Sequence, residues 1–140
     1  MLIKSSLAVV LLVLPLVAHS GVTSENFCFS SGGAKSINFQ MRTYYDSATK
    51  FSFAFVRYEH SKQPIPLVLA NSERETLDKD APDQKTTTWS EVVGGQVTGD
   101  YEMITQGTEM VSMIYTSKRK GQQTGFMFNA NAIADDSCKW

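Results

Sequence analysis

Apolar and polar positions alternate along most of this chain. Ile37, Phe39, Met41, Thr43 and Tyr45 are separated by Asn38, Gln40, Arg42 and Tyr44, the two-residue period of a strand with one buried face. A turn at Asp46-Ser47-Ala48-Thr49 follows. The next run, residues 51–58, sets Phe51, Phe53 and Phe55 on one face and Ala54, Val56 and Tyr58 on the other, so it reads as a hairpin partner with both faces partly covered. Pro64 and Pro66 bracket Ile65 and lead into Leu67-Val68-Leu69. A proline donates no ladder hydrogen bond, so this short strand suits a sheet edge or begins just after a turn.

Residues 71–85 break the pattern, being polar nearly throughout. They read as a long loop, or as a helical turn over 72–77, where Ser72 and Glu75 have capping-box spacing. Strand patterning then returns over 86–93, 96–105, 108–118 and 124–129, punctuated by Gly94-Gly95, Gln106-Gly107 and Lys120-Gly121. With a short segment at 26–30 this makes about eight strands, and short glycine turns between β-branched and aromatic runs predict an all-β antiparallel meander. Such a set closes into a small barrel or stacks as a sandwich. The tail, 130–140, reads as irregular.

The N-terminus follows a different rule. Lys4 precedes an unbroken apolar run over 7–18, and Ala18-His19-Ser20 places small residues where a signal peptidase cuts. Residues 1–20 therefore read as a cleaved signal peptide and 21–140 as a single exported β-domain, periplasmic or secreted. The apolar run is shorter than the roughly 20 residues that span a bilayer, and Cys28 lies several residues too late after the cleavage point to carry a lipid, so no stable membrane anchor is expected after processing. Export passes the chain through an oxidising compartment, and its two cysteines, Cys28 and Cys138, stand near the two ends of the mature chain. They are expected to form a disulfide.

Charge and composition narrow the chemistry. A net charge of −1, made more negative by loss of Lys4, argues against nucleic acid, which needs many cations to displace counterions. Of two histidines, His19 leaves with the signal peptide and His60 lies in the polar run Glu59-His60-Ser61-Lys62. With the cysteines paired, a nucleophilic triad and a zinc site both lack parts. Asp78, Asp80 and Asp83 are interrupted by Lys79 and lack the glycine and terminal glutamate of a calcium loop. Glu91, Asp100, Glu102 and Glu109 fall on strands, where a pair could face across a cleft. No cofactor and no metal are expected. The most pronounced surface feature is Lys118-Arg119-Lys120-Gly121, three cations on a hairpin turn. They serve either as edge protection or as a finger aimed at a partner's carboxylates.

An exported β-domain with a cysteine near each end, a Gly-x-Tyr element at Thr98, Gly99 and Tyr101, and a Tyr115 followed by a Lys120-Gly121 turn resembles the bacterial periplasmic and membrane-bound inhibitors of C-type lysozyme. In that family a Ser-Gly-x-x-Tyr element and a Tyr-x-x-x-Thr/Ser-Lys-Gly element enter the lysozyme cleft and contact its catalytic carboxylates. The resemblance implies that Thr98, Gly99, Tyr101, Tyr115, Lys120 and Gly121 do so here, with Lys118 and Arg119 beside them, and that Cys28 and Cys138 match the family's disulfide. The chain departs from the pattern at Thr98, in having one residue fewer before Tyr101, and at Arg119.

The expected function is therefore a non-enzymatic protein-binding domain that inhibits lysozyme or a related cell-wall hydrolase. Two alternatives stand beside it: a periplasmic immunity protein against a delivered toxin, and a β-barrel that carries a small ligand in an aromatic-lined cavity. An empty cavity of a few hundred Å³ would favour the carrier; a filled core would weaken it.

Overall fold

The computed structural model describes residues 21–140; residues 1–20, expected to be a signal peptide, lie outside them. Eight strands run in chain order around a closed antiparallel barrel: β1 (Val22–Ser30), β2 (Asn38–Asp46), β3 (Phe51–Tyr58), β4 (Ile65–Glu75), β5 (Gln84–Val93), β6 (Gln96–Gln106), β7 (Glu109–Ser117) and β8 (Gln123–Phe128). Barrel, rather than sandwich, is thus the architecture. After β8 come a 3-10 turn at Ala130–Ala132 and a two-stranded ribbon of β9 (Ile133–Ala134) and β10 (Ser137–Cys138). The tail expected to be irregular is organised in this way because it packs on the barrel wall.

The alternation seen in sequence sorts side chains as predicted. Phe29, Phe39, Met41, Ala54, Val56, Leu67, Trp89, Tyr101, Met103, Met113 and Phe126 form one core cluster. Aromatic rings interlock there, with Phe39 edge-on to Phe126 at 4.8 Å and to Tyr101 at 5.5 Å between centroids. Burying each such ring contributes about 2–3 kcal/mol. On the outside, Tyr44 stacks on Phe53.

Of residues 71–85 only 76–83 form the expected loop, and the helical turn over 72–77 does not form. Ser72, Glu73, Arg74 and Glu75 pair with Thr87, Thr86, Lys85 and Gln84, so β4 and β5 extend as a ribbon and only residues 76–83 form the connection. The segment looks like a loop in sequence because its buried positions end at Leu67; beyond that point β4 is exposed and its polar side chains meet water on both faces. Backbone ladder bonds, which leave no trace in side-chain polarity, hold it extended.

Closure of the barrel is short. β1 meets β8 at only two register positions, Phe29 with Phe128 and Ser30 with Met127, and the Asn129 amide donates to the Cys28 carbonyl at 2.7 Å. The disulfide joins Cys28 to Cys138, Cα atoms 5.8 Å apart, and ties the tail across β1 and β2. There the Gln40 amide donates to the Asp136 carbonyl and to Asn26 Oδ1, both at 2.7 Å, while Arg42 pairs with Asp136 at 3.0 Å. A buried glutamine on the barrel's outer wall is thereby satisfied.

Candidate functional site

The turns at Gly94-Gly95 and 118–122, with the loops 31–37 and 59–64, lie at one end of the barrel. Those at 47–50, 76–83 and Gly107 lie at the other. The sequence-predicted site residues gather at the first end, and a carboxyl group organises them.

Glu91, at a bulge in β5, is 6% exposed and faces inward. Its Oε1 accepts hydrogen bonds from Thr98 Oγ1 at 2.7 Å and from the Tyr115 hydroxyl at 3.1 Å; its Oε2 accepts from the Tyr101 hydroxyl at 3.0 Å. Tyr101 has one hydroxyl hydrogen and gives it to Glu91, so in its 2.6 Å contact with Tyr58 it is the acceptor and Tyr58 the donor. A buried carboxyl group thus heads a chain of aromatic hydroxyls, each polar atom partnered.

That arrangement perturbs the tyrosines in one direction. Burial, then the neighbouring Tyr58 and the Glu91 charge, push the Tyr101 hydroxyl far above its ordinary range. Burial and Glu91 push Tyr115 up to about 12. Burial raises Tyr58 as well, and the Glu91 charge outweighs nothing of that: both act upward against the hydrogen bond with Tyr101.

Gly99 has a different reason for being there. A Cβ on it would fall 2.4 Å from the Tyr115 ring, so the absence of a side chain is what lets Tyr115 lie across β6 and reach Glu91. Tyr115 in turn packs on Tyr101 at 4.7 Å between centroids.

On the outer face of the same strands, Asp100 accepts from Ser90 Oγ at 2.7 Å and pairs with Lys118 Nζ at 2.5 Å. Burial pushes the Asp100 carboxyl up, but the hydrogen bonds from Lys118 and Ser90 and the Lys118 charge outweigh it and leave the group below its ordinary value of 3.8. Backbone bonds from Lys118 N to the Thr98 carbonyl, 3.0 Å, and from Gly121 N to the Ser117 carbonyl, 2.8 Å, close the turn, with Gly121 at φ +63°. Arg119 and Lys120 stand exposed at its tip, and among the described residues neither side chain has a hydrogen-bond or ion-pair partner.

The structure therefore divides the predicted site in two. Lys118, Arg119, Lys120 and Gly121 form an exposed turn. Thr98, Gly99, Tyr101 and Tyr115 lie beneath it around Glu91. Tyr101 has no exposed surface at all, which corrects its placement among partner-contacting residues: its hydroxyl is committed to the interior. Sequence reasoning named Glu91 and Asp100 only as strand carboxylates able to face across a cleft; it missed Glu91 as the hub, and Ser90 and Tyr58 as members of the network. A signal existed: Glu91 shares the parity of Thr87 and Trp89, so an acidic residue occupies an inward position of its strand.

At the opposite end the barrel is not filled. Two adjoining cavities of 230 and 360 Å³ share Glu25, Lys85, Thr87 and Met103 as lining residues. Among the described residues no group of three or more His, Cys, Asp or Glu side chains is placed to hold a metal ion. Comparison of the chain with protein-family models, with curated proteins and with solved structures gave no match.

Proposed function

We propose that this barrel is an exported, non-enzymatic binding domain that inserts its cationic turn into an acidic cleft of a partner protein, with lysozyme or a related cell-wall hydrolase as the target. The observation that carries the reading is the turn itself. Arg119 and Lys120 have no partner within the described residues, while the turn that presents them is held by two backbone hydrogen bonds and by the Lys118–Asp100–Ser90 chain. A turn whose backbone is already held loses little backbone freedom on binding, so the charge-assisted hydrogen bonds that its Arg119 and Lys120 make to a partner's carboxylates go further toward affinity.

The non-enzymatic part of the reading has its own support. Glu91 is enclosed by three hydroxyl donors and Asp100 is paired with Lys118, so the two carboxyl groups nearest the turn are occupied rather than open to a substrate. Thr98, Gly99, Tyr101 and Tyr115 act in this scheme as the foundation of the turn. The cysteine pair suits an oxidising compartment, consistent with a periplasmic or secreted location.

The test is a lysozyme turbidity assay with purified protein, comparing wild type with Lys120→Ala and Arg119→Ala. Slowed lysis that either substitution relieves supports the proposal. Equal lysis with and without excess wild-type protein removes lysozyme as the target, and pull-down from envelope extracts with wild type against the double variant then tests the turn without presuming a partner.

A further inference from the structure

The open end of the barrel has a structural cause. β8 spans six residues while its neighbours β1 and β7 span nine each, and after Phe128 the chain leaves the wall to form the tail. Below Phe128, β1 and β7 therefore have no strand between them, and the interior opens there into the 360 Å³ cavity, continuous in its lining with the 230 Å³ one.

Three features of this mouth point to a ligand rather than to loose packing. Lys85 is half-buried, and among the described residues its ammonium has no hydrogen-bond or ion-pair partner. Trp89 is 4% exposed and lines the smaller cavity, and its buried indole Nε1–H has no partner. A buried donor without an acceptor is unfavourable, and a small turn of the ring toward the cavity would offer this one to a ligand acceptor. Glu25 lines both cavities from across the barrel and makes no ion pair with Lys85. Between these groups the wall is mixed: Met103 in both cavities and Phe27, Met110 and Phe128 in the larger give apolar surface, and Thr87 in both adds a hydroxyl.

We propose that this mouth binds a small zwitterion with an apolar side chain, an apolar amino acid or the end of a short peptide. The ligand carboxylate would meet Lys85 and the Trp89 N–H, its ammonium would meet Glu25, and its side chain would lie on Met103. A simple anion leaves Glu25 facing it unfavourably, and a simple cation does the same to Lys85; only a ligand carrying both charges satisfies both walls. The site lies at the opposite end of the barrel from the Lys118 turn and does not depend on its function.

Titration with L-phenylalanine, followed by the Trp89 indole resonance in ¹H–¹⁵N spectra, tests this. The Trp140 indole, outside the mouth, serves as the internal reference. Saturable movement of the Trp89 resonance is expected, weakened about tenfold or more by Lys85→Met and by Glu25→Gln, and unchanged by Lys62→Met. Octanoate and octylamine, each carrying one charge, should bind more weakly to the wild type. Absence of saturable movement, octanoate binding as tightly as phenylalanine, or unaltered binding in both mouth variants would overturn the proposal. The comparison of ligands on wild-type protein stands even if a variant fails to fold.

Discussion

Tyr115 occupies the space in which any side chain at position 99 would begin: a Cβ on Gly99 would stand 2.4 Å from its ring. The pair sits on adjacent strands, β6 and β7, where an aromatic ring covers the gap left by a glycine. One position thereby sets the reach of the Tyr115 hydroxyl to Glu91 and the seating of the turn above it.

Gly99→Ala should destabilise the barrel by about 1–3 kcal/mol, the usual cost of overpacking a filled interior. Gly99 does not have a positive φ, so the cost is steric and not one of backbone conformation. Removing the ring should therefore remove the penalty. Urea denaturation of Tyr115→Ala and of the double variant with Gly99→Ala is expected to give nearly equal stabilities; a further additive loss in the double variant would contradict the account.

Tyr101→Phe deletes the link between Tyr58 and Glu91 and should cost about 1.5–3 kcal/mol, the range for a hydrogen bond to a charged group. Glu91→Ala strands three hydroxyls at once and should cost more, about 3 kcal/mol or above. Chemical denaturation of the two variants in parallel gives the order, and the reverse order would show that Glu91 is not the hub.

Alkaline pH should loosen the same cluster. Tyr58, Tyr101 and Tyr115 are all raised from the ordinary value of 10.0, Tyr115 to about 12. In the unfolded chain they ionise near 10; in the barrel they hold their protons longer, so above pH 10 the unfolded state binds fewer protons and stability falls as pH rises. The contribution is complete below pH 10 and lost progressively through about 12. Tyrosinate absorbance in an alkaline titration should show a fraction of the five tyrosines ionising late, together with loss of the near-ultraviolet dichroism of the core.

Asp100 gives the opposite dependence in acid. Its carboxyl lies below 3.8 when folded, so its contribution is present above that value and lost as pH falls through the folded one. Lys118→Met removes the hydrogen bond and the charge that hold it down, so the Asp100 carboxyl should titrate higher in ¹³C spectra, while the Glu91 cluster inside the barrel keeps its resonances.

Reduction of the disulfide frees a crosslink between residues separated by 110 positions. On the chain-entropy model the loss is as much as about 4.7 kcal/mol. Cys28→Ala/Cys138→Ala should lower the urea midpoint strongly and expose Gln40 amide protons to exchange, since the tail that satisfies its side chain is no longer tethered.

The sequence by itself determined the strands and their order. A period of two fixes which side chains face inward, and short glycine turns leave few ways to connect consecutive strands, so Phe39, Val56 and Tyr101 could be placed in an antiparallel meander before any coordinates. It also indicated the cysteine pair, the only two cysteines in the sequence. Tertiary structure decided the rest. Whether the meander closes depends on the register of β1 with β8, two residue pairs that local pattern does not encode. The division of the Thr98 to Gly121 elements into an exposed turn and a buried foundation depends on Glu91, contributed by a neighbouring strand and brought to them by pairing. The mouth lined by Lys85 and Glu25 joins residues sixty positions apart in the chain. A strand's own sequence specifies its faces; what those faces meet is set by strands far away in the chain, and the polar chemistry of this protein lies almost wholly in such meetings.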